Sequence, residues 1–141
     1  MTPAGRGLPK AARLLRPADF ARVYAGRCSA AAGPLVLYAW PSAAGTASRL
    51  GLSVSRRIGN AVVRNRWKRV LREAFRAVRG GLPAGHDFVL VVRSGAAPSG
   101  AEAQRHTGEA ILALAARVVG RPGYGRPRPP AADGTPPRRR R

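Results

Sequence analysis

Arg56-Arg57-Ile58-Gly59-Asn60-Ala61-Val62-Val63-Arg64-Asn65-Arg66-Trp67-Lys68-Arg69-Val70-Leu71-Arg72 reads as a turn followed by an amphipathic, strongly basic helix. Wound at about 100° per residue, Val63, Trp67, Val70, Leu71, Ala74 and Val78 fall on one apolar stripe. Asn65, Lys68, Arg69, Arg72, Arg76 and Arg79 fall opposite, and Arg64 and Arg66 sit on the shoulders between. Gly59-Asn60 is the stop and cap before this helix. A helix of this kind docks on a sheet through one side and presents cations on the other.

The flanking sequence supplies that sheet. Pro17, then Phe20, Val23 and Tyr24 at helical spacing, predicts a short helix. Leu35 to Trp40 predicts a strand after the Gly33-Pro34 break, and Leu50, Leu52 and Val54 alternate with Gly51 and Ser53 as in a half-buried strand. These two strands are expected to form a hairpin, with a third strand arising if the second run splits. Phe88 to Val92 is a continuous apolar run, as in a strand buried on both faces. Ser99-Gly100-Ala101-Glu102 has the form of a capping box, opening a helix through about Val119. The order is α, two or three β, α, β, α, a small α+β sandwich. Residues 1–12 are expected to be a flexible N-terminal segment, 13–119 the folded domain and 120–141 a disordered tail. The last 21 residues hold six prolines and end in Arg138 to Arg141, with almost no apolar side chain to offset ordering.

The chain of 141 residues carries a net charge of +20, with 24 Arg and 2 Lys against six acids. Repulsion at that level opposes compaction, and a polyanionic partner accounts for it. No alternating acids neutralise the basic helix, as they do on an ordinary solvated face. Phe20, Tyr24 and Tyr38 add a second layer. Aromatics at this spacing are ordinarily core. Beside cations they also serve as a stacking platform for unpaired bases, and both roles fit one residue if its back packs while its face stays open. Trp40 and Trp67 read as core. Asp19, Glu73, Asp87, Glu102, Glu109 and Asp133 are scattered without metal-pair spacing, and His86 and His106 have no evident partner. No catalytic residue or protein-held metal is therefore expected. Cys28 is the only cysteine, which fits an intracellular chain without disulfides. No apolar run approaches the length of a membrane span, and no signal-peptide core follows Met1.

Ile58 to Arg69, with its Gly-Asn turn and Arg64-Asn65-Arg66 core, resembles the signature of the protein subunit of bacterial ribonuclease P. Asp19-Phe20 with Tyr24, the Leu35 to Tyr38 strand, and Asp87 to Val92 followed by Arg93 agree with it, over about residues 13–119. Trp67 replaces the smaller apolar residue expected there, and the Pro/Arg tail lies outside the resemblance. The resemblance implies an αβββαβα fold with a central four-stranded sheet and an unusual left-handed β-α-β crossover. It also implies a catalytic RNA partner that uses bound Mg²⁺ to remove the 5′ leader from precursor tRNA in the cytoplasm. Arg56, Arg57, Asn60, Arg64, Asn65, Arg66, Lys68, Arg69 and Arg72 would face the catalytic RNA, and Phe20, Tyr24 and Tyr38 would line the leader-binding cleft. Competing classes are a ribosome-associated RNA-binding protein, a DNA-binding protein lacking the helix-turn-helix partner, and a protein-only nuclease lacking an acid cluster.

Overall fold

The structure is a computed structural model, and it describes residues 8–42 and 48–126. The start of the flexible N-terminal segment, most of the turn from Pro41 to Ser48 and the Arg-rich end of the tail lie outside the described residues.

Helix α1 (Pro17–Ala25) begins with proline at its first turn, where the missing N–H has no helical partner to lose. Strands β1 (Ser29–Ala32), β2 (Leu35–Pro41) and β3 (Arg49–Val54) follow, then helix α2 (Ala61–Val78), strand β4 (His86–Val92) and helix α3 (Ala101–Val119). This is the expected αβββαβα order. The sheet order is β1-β2-β4-β3, so the last strand in sequence is inserted between two earlier ones. Leu37 pairs with Leu90 antiparallel and Leu52 pairs with Leu90 parallel. The parallel β3-α2-β4 unit is thus a crossover through the basic helix. The expected hairpin of β2 with β3 does not form, because β4 separates them. β2 instead makes its hairpin with β1 across Gly33-Pro34, in register from Ser29–Tyr38 to Ala32–Leu35. The additional strand is Ser29–Ala32, not a split of the second run; its Ser/Ala composition carries no strand pattern.

α2 and α3 cover one face of the sheet. Leu35, Leu37, Ala39, Leu50, Phe88, Leu90 and Val92 meet Trp67, Leu71, Ala74, Phe75, Ile111, Leu114 and Val118 there. The apolar stripe of α2 is as predicted and is widened by Phe75, which is fully buried. Trp67 is 1% exposed, and its Nε1 donates to the carbonyl of Gly95 at 3.1 Å. α3 comes close enough to α2 that a Cβ at Gly108 would lie 3.0 Å from Val78 Cγ1. The capping box that opened α3 in the sequence does not form. Gly100 is the N-cap, with φ of 91° and no side-chain cap. That left-handed conformation suits glycine, and it places Ser99 one residue too early.

The other face carries α1 and a smaller cluster of Leu14, Val23, Val89 and Val91, with Phe20, Tyr24, Val36, Tyr38 and Trp40 packed against it.

Both expected domain boundaries move outward. Leu8 is 2% exposed and Ala12 is buried in the main core. Leu14 N–H bonds the carbonyl of Leu50 at 2.8 Å, and the N-terminal segment thereby covers the free edge of β3. Beyond α3, residues 120–126 turn back onto the sheet. The Tyr124 ring lies 6.2 Å from Trp40 and 5.4 Å from His86, and its hydroxyl is 2.8 Å from His86 Nδ1. Tyr124, together with Arg121, which donates to the Ser29 carbonyl, holds the beginning of the Pro/Arg-rich segment against the fold.

Trp67→Ala removes a buried indole and its hydrogen bond, and is expected to cost about 3–5 kcal/mol, read from urea melts. His86 is held below the usual histidine range by burial, partly offset by the charge of Asp87. The unfolded chain therefore binds a proton at His86 more readily than the folded chain does. Stability should be full above about pH 6.5 and fall as pH drops through the depressed folded value. Melts at stepped pH should show this decline, and His86→Gln should flatten it.

Candidate nucleic-acid interface

The basic surface starts where β3 ends. A 3-10 turn at Arg56–Ile58 leads to Gly59 and the N-cap Asn60. Asn60 Oδ1 accepts from the Val63 N–H at 3.0 Å, which satisfies one of the helix's unpaired donors. Part of Asn60 is therefore engaged in holding the helix start. Arg56, Arg57, Asn65, Arg66 and Arg69 are exposed, and Arg64, Lys68 and Arg72 are half-buried. Arg64 Nε donates to the Gly59 carbonyl at 3.2 Å, fastening that guanidinium over the turn. Burial lowers the pKa of Arg72, and the neighbouring charge of Arg13 adds to the effect.

The predicted cationic face divides in two along α2. In its C-terminal half, Arg76 pairs with Glu73 at 2.8 Å, and Arg79 donates twice to the Ser48 carbonyl at 3.2 and 3.0 Å. These two cations hold structure. In the N-terminal half no acid stands among the cations, and the positive end of the helix dipole adds to them. Val62 is 70% exposed in the same first turn, an apolar surface set among cations.

The aromatic layer lies on the opposite side of the sheet. Tyr38 shares a cross-strand row with Ser29 and Val89, and Val89 with Gly51. Phe20 lies over Gly51, where a Cβ would come within 2.7 Å of Phe20 Cζ. Glycine is required there so that α1 can approach. The Tyr24 and Tyr38 rings meet edge to face, centroids 4.9 Å apart at 89°. All three aromatics are half-buried, so each packs on one side and shows another. The next row, Ala31, Val36, Val91 and Ser53, ends at the C-terminus of β3. The chain passes from this face to the basic helix between Ser53 and Asn60.

One group on this face was missed by the sequence reading. The Asp87 carboxylate is 0% exposed and accepts from Arg49 Nε at 2.9 Å, Arg49 Nη2 at 2.8 Å and Arg22 Nη2 at 2.5 Å. Asp19 stands 3.5 Å from Arg22 and 3.8 Å from Arg49, and Arg22 also donates to the Pro41 carbonyl at 3.0 Å. The bond to Asp87 is the main cause that raises the Arg49 pKa. Two acids thus neutralise two arginines and clamp α1 to β3 and β4. The partners lie 38 and 65 residues from Asp87, so no local spacing could reveal them. Among the described residues, no three His, Cys, Asp or Glu side chains gather as a metal site, and no helix is long and apolar enough to cross a membrane.

Comparison with known proteins agrees with this architecture. A family model described as Ribonuclease P matches residues 8–115. The ribonuclease P protein component of Brevibacillus brevis is 43% identical over 83 residues, 59% of this chain and 66% of that protein. That of Caldanaerobacter subterraneus subsp. tengcongensis is 40% identical over 98 residues, 70% of this chain and 80% of that one. Among solved structures, the Staphylococcus aureus RNase P protein superposes with a TM-score of 0.53 at 30% identity, covering 78% of this chain and 94% of that one. The Thermotoga maritima protein gives 0.52 at 34% identity, covering 57% and 73%.

Arg66→Ala is expected to weaken binding to a structured RNA by about 1–3 kcal/mol with an unchanged melt. Arg79→Ala should do the reverse, losing about 1 kcal/mol of stability with little change in RNA affinity. Parallel melts and RNA titrations read both halves.

Proposed function

The chain belongs to the ribonuclease P protein family, and from that premise we propose that it holds the 5′ leader of precursor tRNA in the α1-side cleft while the N-terminal half of α2 binds the catalytic RNA. The observation that carries this reading is the presence of two surfaces of different chemistry on opposite sides of one sheet, joined by the chain between Ser53 and Asn60. One offers half-exposed aromatics, and the other offers cations with no acid among them.

The chemistry of the two ligands differs, and so do the surfaces. A leader of variable sequence gains from stacking, which every base can supply, rather than from base-edge hydrogen bonds. Phe20, Tyr24 and Tyr38 suit that role. A folded RNA displays rigid phosphate arrays, which the guanidinium forks of Arg64, Arg66 and Arg69, the Lys68 ammonium and the flanking Arg56, Arg57, Asn65 and Arg72 can engage. Asn60 shapes the turn that aims them. Mg²⁺, in this proposal, supplies its chemistry from the RNA subunit. Asp19 and Asp87 face Arg22 and Arg49, and Glu73 faces Arg76, so these carboxylates do not suit a protein-held ion. The protein's contribution is positional: it screens the repulsion between two RNAs and keeps the substrate's single strand beside the catalytic RNA. A cytoplasmic location follows from that partner and substrate.

The test is holoenzyme reconstituted with a ribonuclease P RNA and substrates of graded leader length. Tyr38→Ala should weaken precursor tRNA binding by about 1 kcal/mol, the lower end for stacking on a partly exposed ring. Mature tRNA binding should stay nearly unchanged, as should the salt dependence, since a ring neutralises no phosphate. Equal losses for precursor and mature tRNA would make the aromatics simple core residues.

A further inference from the structure

Arg27 is the only non-glycine residue with positive φ among the described residues, at 56°. The other positive-φ positions are Gly33, Gly59, Gly85, Gly95, Gly100, Gly123 and Gly125. The reason lies one residue earlier. A Cβ at Gly26 would stand 2.1 Å from the Trp40 ring, so glycine is consumed there by packing. The reversal from α1 into β1 then falls to the next position. The Arg27 N–H closes the turn on the Tyr24 carbonyl at 3.0 Å. Any side chain with a Cβ is disfavoured in this conformation, and a long charged one gains nothing from it locally.

Its position is informative. Arg27 is bonded through its backbone to Tyr24, and two residues later Ser29 stands in register with Tyr38. The turn therefore spans the edge of the Tyr24–Tyr38 pair. The side chain is exposed. The cations beneath α1, Arg22 and Arg49, are neutralised by Asp87 and Asp19, whereas Arg27 has no ion-pair partner among the described residues. Backbone strain retained at a surface position points to a use for the side chain. We propose that Arg27 is a phosphate-binding residue at the mouth of the aromatic cleft, contacting the backbone of the single-stranded leader whose bases stack on Tyr24 and Tyr38. The assignment rests on the cleft reading above. It also supplies what the cleft floor lacks, an uncompensated positive charge beside the rings.

The experiment compares parent, Arg27→Gly, Arg27→Lys and Tyr38→Ala in reconstituted holoenzyme. Affinities are measured for precursor tRNA with a leader of several nucleotides and for mature tRNA, across a salt series, alongside melts of each protein. Arg27→Gly should melt no lower than the parent, since glycine adopts the turn freely. It should bind precursor tRNA roughly fivefold more weakly, as for loss of one exposed ion pair. Its log–log salt slope should be shallower by about 0.7, one single-strand phosphate contact. Mature tRNA affinity should hold, and Arg27→Lys should retain most of the binding. If Tyr38→Ala reduces the dependence on leader but Arg27→Gly does not, the cleft stands and the role of Arg27 is overturned. A lower melt for Arg27→Gly with unchanged affinity would likewise make Arg27 only a cation at the end of α1. If neither variant alters the dependence on leader, both readings fall.

Discussion

Asp87 to Val92 of β4 are buried without interruption, and a strand in that position must be covered on both faces and hydrogen-bonded on both edges. β2 and β3 supply the edges, α2 and α3 one face, α1 and Leu14 the other. Because β4 comes last among the strands in sequence yet sits inside the sheet, β2 and β3 do not pair with each other. The segment that separates β3 from β4 in sequence is α2, so the basic helix is the crossover that makes a central β4 possible. Its cations are presented by an element whose apolar side is bound into the core through Trp67, Leu71 and Phe75.

The second constraint is charge. A chain with 26 basic and six acidic residues cannot pair most of its arginines with carboxylates. Many of them donate to backbone carbonyls instead: Arg13 to Leu8, Arg22 to Pro41, Arg64 to Gly59, Arg79 to Ser48, Arg93 to Gly33 and Arg121 to Ser29. A carbonyl accepts from a guanidinium without an acid and leaves the positive charge in place. Structural arginines thereby tie loops to strands while the molecule stays a polycation. Two of the six acids, Asp87 and Asp19, stand beneath α1, where they balance the half-buried guanidiniums of Arg22 and Arg49.

These two constraints give the two proposed RNA surfaces different structural supports. The cations of α2 ride on a fully packed helix, which suits a fixed array of phosphates. The aromatic cleft is bounded by α1, a short helix held by the Asp87 cluster, the close approach of Phe20 to Gly51 and the Tyr24–Tyr38 contact. Its open row of Ala31, Val36 and Ser53 is small and weakly polar.

The local pattern of the chain was enough to read the basic helix with its Asn60 cap, the apolar stripe, the doubly buried Phe88 to Val92 strand and the α+β class. Each of these is written in neighbouring residues, because the helical and strand periods decide which side of an element is apolar. Tertiary structure alone decided which elements meet. β4 took the place between β2 and β3, and Ser29–Ala32 became a strand only because β2 offered an edge. Leu8 and Tyr124 joined the core from segments whose composition promised none. Asp87 found partners 38 and 65 residues away, and Trp40 forced glycine at position 26, leaving the left-handed turn to Arg27. Periodicity encodes a face to be buried, but burial is satisfied by any apolar surface that the chain can bring to it, and that choice is made in space.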